Sequence, residues 1–207
     1  MALSWKERIQ LLFSSPAAFF DGIKQETTIR PALKLFLVGA LVYAALSYVS
    51  FPLYLNSILA TLPPGSGAMA GFLSLFTLLL FPLMIVGVFA ISGLTHVFAV
   101  RLGGKRGFPR TFNAIAYGSL PTLFLGWLFF ALPWWLGWTV SLLVSLWSLI
   151  IEIWGLSRLH EVSKLRALLF LLLPVIVVTV IAVAVAALFV IASMAAPGGA
   201  GPLPLYT

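Results

Sequence analysis

Cysteine is absent from the 207 residues, aspartate occurs once at Asp21, and histidine occurs twice, at His96 and His160. Without cysteine there is no disulfide, no thiolate metal site and no thiol nucleophile. The two histidines form no HExxH pair, and a lone aspartate leaves no paired carboxylates for acid and base work inside a membrane. These gaps speak against an enzyme, and no cofactor is expected. Charge is scarce as well: 8% of residues are charged against 62% hydrophobic. That balance cannot give a water-soluble surface. The N-terminus shows no short apolar run with a small-residue cleavage site, so the first span is expected to serve as its own insertion signal.

What the chain does have is apolar runs of membrane-spanning length. A hydrocarbon core of roughly 30 Å needs about 20 helical residues, and five stretches qualify: 32–54, 71–100, 111–132, 137–157 and 166–194. The runs are continuous and lack the alternation that a barrel strand requires. The expected fold is an all-α membrane protein with five transmembrane helices.

The 12 Lys and Arg residues give the chain its orientation. They fall in the N-terminal stretch up to Lys34, in the link Arg101 to Arg110 and in the link Arg158 to Arg166. The intervening stretches Asn56 to Ala70 and Leu132 to Gly137, and the tail from Ala195, carry no charge. Basic residues are retained on the cytoplasmic side, which predicts N-in and C-out. The net charge of +7 is then explained by anionic headgroups, with no nucleic-acid partner.

Residues 1–31 read as a cytoplasmic, interfacial amphipathic segment. Trp5, Ile9, Leu12 and Phe13 recur at helical spacing opposite Lys6, Glu7, Arg8 and Gln10. Ser15 and Pro16 read as the N-cap and first position of a second short helix, whose Phe19, Phe20 and Ile23 continue the apolar face. Such a segment lies in the headgroup plane as an anchor, or offers a docking surface to a cytosolic partner. Residues 32–194 form the five-span bundle, and 195–207 a short outer tail. Span one is expected to end near Pro52 and Tyr54, Pro82 to kink span two, and Pro174 to interrupt span five. Pro133, Trp134, Trp135 and Trp138 mark a tight outer hairpin between spans three and four. Ala182 and Ala186 offer a small-residue face to a neighbouring helix.

Intramembrane charge is costly and commonly functional, and Glu152 is the one such residue. It sits roughly 9 Å along its helix from Arg158, and His96 roughly 7 to 8 Å from Arg101, at about 1.5 Å per residue. Asn113 and Tyr117 count to the same layer. The expectation is a polar cluster of His96, Asn113, Tyr117 and Glu152 near the cytoplasmic face. The plainer reading has Glu152 reaching toward Arg158 while the others make ordinary interhelical hydrogen bonds. His160 and Glu161, in the link, are expected to be solvated. Arg101, Lys105, Arg106 and Arg110 form a basic, glycine-rich turn without the Gly-Lys-Ser/Thr ending of a phosphate-binding loop. Headgroup contact is the reading for that loop.

The order of features resembles the Yip family of five-span membrane proteins. Ser15-Pro16 with Phe19-Phe20 precedes span one, and Gly103-Gly104-Lys105 leads through Phe108 and Thr111-Phe112 to Ala116-Tyr117-Gly118-Ser119-Leu120-Pro121. Trp147, Trp154-Gly155-Leu156 and His160 close span four. Eukaryotic members interact with Rab-type GTPases in traffic between endoplasmic reticulum and Golgi. This chain lacks their long polar N-terminal region and looks more like short prokaryotic relatives. The resemblance implies a multi-pass protein of a prokaryotic cell membrane. Its expected role is a non-enzymatic organiser or scaffold that binds a membrane-protein partner or a second copy of itself. The alternative is a small transporter or lipid-handling protein, suggested by Pro82, Pro121 and Pro174 beside a polar layer.

Overall fold

A computed structural model describes residues 5–59, 67–104 and 106–195, which are helical apart from short links. Among the described residues nine helices follow one another: α1 (Trp5–Ser14), α2 (Pro16–Gly22), α3 (Arg30–Leu59), α4 (Gly67–Arg101), α5 (Phe108–Gly118), α6 (Leu120–Leu125), α7 (Leu128–Ala131), α8 (Trp134–His160) and α9 (Lys164–Ala195). Among the described residues five segments are long and apolar enough to cross a membrane: Arg30–Pro52, Leu79–Arg101, Phe108–Ala131, Trp134–His160 and Lys164–Leu188. The chain is therefore a multi-pass helical membrane protein.

Proline stands inside three of the long helices. The first span ends at Pro52, as expected, while the helix α3 itself runs on to Leu59. A proline gives up a single helical hydrogen bond, and a transmembrane helix with no water to compete absorbs that loss. For the same reason α4 and α9 continue through Pro82 and Pro174. Among the described residues only the third span breaks, into α5, α6 and α7. Its first break falls at Ser119, just before the Leu120-Pro121 start of α6, and the Ser119 hydroxyl satisfies the Ala116 carbonyl there at 3.0 Å.

The segment α5 is the centre of the bundle: Thr111 through Gly118 are all buried, enclosed by α3, α4 and α8. Its approach to α8 is close because Gly118 has no side chain. A Cβ there would collide with Glu152 Cγ and lie 3.0 Å from the Glu152 backbone nitrogen. Gly155 does the same for α2, since a Cβ at that position would lie 2.7 Å from the Phe20 ring.

The apolar face of α1 and α2 packs on protein. Leu12, Phe19, Phe20 and Ile23 are fully buried, and α2 rests on α8. Phe19 meets Tyr117 edge-on with centroids 4.9 Å apart. The apolar periodicity that would suit a lipid surface is here spent on capping the bundle, because Gly155 of α8 beside Ala114 of α5 leaves room for the Phe20 ring. Ser15 occupies the N-cap position of α2 but makes no side-chain cap bond.

That cap shares its end of the bundle with both basic links. The α4–α5 link turns at Gly103, whose φ of 90° closes α4 with Gly104 N–H donating to the Ala99 carbonyl at 2.7 Å. The α8–α9 link turns at Glu161 in the left-handed region, and Val162 N–H donates to the Ser157 carbonyl at 3.0 Å. At the opposite end, Pro133 caps α8 and Trp134, Trp135 and Trp138 are exposed at its start, as an interfacial belt requires. Residues 175–188 of α9 are exposed throughout, Ala182 and Ala186 among them. The TLPPGSG loop, mostly at 60–66, and the tail at 196–207 lie outside the described residues.

Candidate functional site

The four residues expected to cluster are distributed over three separate sites. His96, from the last turns of α4, places Nδ1 3.0 Å from Thr111 Oγ1. His160, from the last turn of α8, places Nε2 3.0 Å from the same oxygen. One hydroxyl thus bridges two imidazoles, accepting from one ring and donating to the other. His160 is buried at 2% exposure, not solvated, because Gly104 lets the α4–α5 link close over its ring. The consequence is testable. Thr111→Val strands two ring nitrogens and is expected to cost about 1–3 kcal/mol, whereas Thr111→Ser costs much less. Thermal unfolding in detergent measures both, and equal losses would show the hydroxyl to be idle.

Tyr117 belongs to a second site with the N-terminal segment. Its hydroxyl accepts from Arg8 Nη1 at 2.9 Å and donates to Glu26 Oε2 at 3.4 Å, while Arg8 Nη2 pairs with Glu26 Oε1 at 2.6 Å. Burial lowers the pKa of the Arg8 guanidinium, but its hydrogen bonds to Glu26 and Tyr117 and the charge of Glu26 leave it above the ordinary arginine value. Asn113, one turn earlier on α5, donates from Nδ2 to the Thr28 carbonyl at 3.2 Å. Both α5 side chains therefore hold the segment before α3 against the bundle.

Glu152 stands apart from both. No hydrogen bond or ion pair reaches its carboxyl among the described residues, and it does not turn to Arg158, which pairs instead with Asp21 at 3.6 Å. The side chain is held against Gly118 and lines a cleft of 610 Å³ between α4, α5, α8 and α9, walled otherwise by apolar side chains and a few hydroxyls. Thr95, 1% exposed, borders the same cleft with an unpartnered hydroxyl.

The basic loop also divides. Arg106 Nη2 pairs with Glu161 Oε1 at 2.8 Å and so clasps the two links together. Arg101 is exposed in the last turn of α4, Arg110 is half-buried in the first turn of α5, and Lys105 lies outside the described residues. Lys164 places Nζ 3.6 Å from the Trp154 ring centroid, with Arg158 5.6 Å from it. Thr111, His160, Arg8 and Glu26 were the residues that sequence reasoning did not assign to a site. Thr111 and His160 were visible as features of the resemblance, whereas nothing in the spacing announces Arg8 with Glu26.

A central broken span, a capped end and closely packed glycines define a five-span helical membrane protein with a built N-terminal cap. The chain belongs to the Yip1 domain family, whose domain matches residues 9–197 and so covers every span. No significant match appears among curated proteins or among solved structures.

Proposed function

We propose that the protein is a non-enzymatic organiser or partner-binding scaffold of a cell membrane. The observation that carries this reading is the end face built by three distant parts of the chain. Arg8–Glu26–Tyr117, Asp21–Arg158 and Arg106–Glu161 tie the cap and both links to each other. Such cross-linking resists rearrangement, and it leaves Arg101, Lys164 and Arg166 exposed around it. A fixed cationic platform suits anionic headgroups and an acidic partner surface. By the positive-inside rule it faces the cytoplasm.

Affinity capture in mild detergent tests the reading. The expected result is a stoichiometric protein partner or a homo-oligomer, weakened when Arg101, Lys164 and Arg166 are replaced together by Gln. A lone monomer would count against a scaffold.

A second reading, a lipid-handling protein or small transporter, is favoured by one observation, the lateral cleft containing Glu152. Intramembrane carboxyls rarely stand without a partner.

A further inference from the structure

We propose that the cleft between α4, α5, α8 and α9 binds a lipid amine, its hydrocarbon chain against the apolar walls and its ammonium group on Glu152. The inference rests on the lipid-handling reading and names the ligand class for it.

Volume and access come first. At 610 Å³ the cleft falls within the roughly 300–1,000 Å³ of ordinary small-molecule sites. Its rim includes Ile91, Val175 and Val178, which are 53%, 61% and 50% exposed. In a bilayer those positions face acyl chains, so a hydrocarbon chain enters sideways without crossing water.

Charge then selects the head. Among the described residues no Lys, Arg or His lines the cleft, and an ionised carboxyl in hydrocarbon is expensive unless a cation accompanies it. A ligand ammonium brings that cation and forms a charge-assisted hydrogen bond. A fatty acid would add a second acidic group instead. The Ser119 hydroxyl is already committed to the Ala116 carbonyl.

Depth narrows the class further. Glu152 lies roughly 12 Å from the end of α8 at His160, at about 1.5 Å per residue. The amine of an ethanolamine phospholipid sits outside the hydrocarbon core, beyond its phosphate. A ligand amine attached directly to the chain reaches Glu152 without dragging a phosphate inward. Contact with Gly118 holds the carboxyl at this depth.

The test is equilibrium binding to the full chain in phosphatidylcholine nanodiscs, with empty discs as baseline, using labelled octadecylamine, octadecanol and octadecanoate. We expect saturable binding of one octadecylamine per chain, with octadecanol about tenfold weaker, the difference between a charge-assisted and a neutral hydrogen bond. Glu152→Gln should bring the amine down to the alcohol's affinity. Val178→Trp, at the exposed rim, should weaken both ligands by narrowing the entrance, and it supplies a second variant if Glu152→Gln fails to fold. Octadecanol or octadecanoate binding as tightly as the amine would overturn the amine assignment and leave the lipid-handling reading standing. Absence of saturable binding by all three would overturn both. Displacement of octadecylamine by phosphatidylethanolamine in the disc would overturn the requirement for a chain-borne amine. Amine binding indifferent to both substitutions would place the ligand elsewhere.

Discussion

Gly118→Leu is expected to destabilise the protein by about 3 kcal/mol, at the upper end of overpacking costs. At this position even the first added carbon collides with Glu152 Cγ and lies 3.1 Å from Glu152 Cα. The Glu152 side chain could shift toward the cleft, but the α8 backbone cannot move away without disturbing its packing along α5. The leucine must therefore separate two helices that enclose the most buried segment of the chain. Gly93→Leu is the control, because a Cβ there meets nothing within 4 Å. Unfolding of both variants in mixed detergent micelles measures the difference. Equal stabilities would show that the α5–α8 contact is looser than the structure has it.

Glu26→Gln carries the second large effect, about 2 kcal/mol. Removing one charge of a buried pair costs roughly 3–5 kcal/mol because its partner is left uncompensated. Here the side chains are 14% and 17% exposed, so water at the bundle end reduces the loss. Gln retains the shape and still accepts a hydrogen bond, which isolates the charge. Tyr117→Phe is expected to remove about 1 kcal/mol by itself, and less when combined with Glu26→Gln, since the two share one network. The double-mutant cycle reads that coupling from the same unfolding experiment. Additive losses would show that Tyr117 and Glu26 act independently rather than as one network. Raising the salt should weaken the interaction only slightly, because a partly buried pair is poorly screened.

The spans were legible in the sequence because insertion is decided locally. A run such as residues 137–157 must satisfy its own backbone and match the hydrocarbon thickness whatever its neighbours do. Four charged or aromatic landmarks, Arg101, Arg110, Trp134 and Arg158, stand at the ends where the structure places span boundaries. Proline was less legible. Pro52 and Pro121 have the same chemistry, yet α3 continues and the third span breaks. What differs is the neighbourhood: the break sits where Gly118 presses on α8 and the Ser119 hydroxyl can satisfy a local carbonyl.

The polar residues illustrate the same limit. Depth along an axis follows from counting, so His96, Asn113, Tyr117 and Glu152 could be assigned to one layer. Rotation about that axis does not. Tyr117 turns to the N-terminal cap, His96 to Thr111, and Glu152 to the lateral cleft. The amphipathic periodicity of α1 and α2 was plain, but an apolar stripe has the same pattern whether it meets lipid or protein.

By itself, then, the sequence determined the class of protein, the number of spans and the segments that share the basic end. These depend on apolar length and on where cations stand along the chain, both properties of contiguous residues. Only the tertiary structure decided that the N-terminal helices close the bundle, that one threonine joins two histidines and that Glu152 faces a lipid-accessible cleft. Each of those depends on helix rotation and on close contacts at Gly118, Gly155 and Gly104, which are set by packing between segments far apart in the chain.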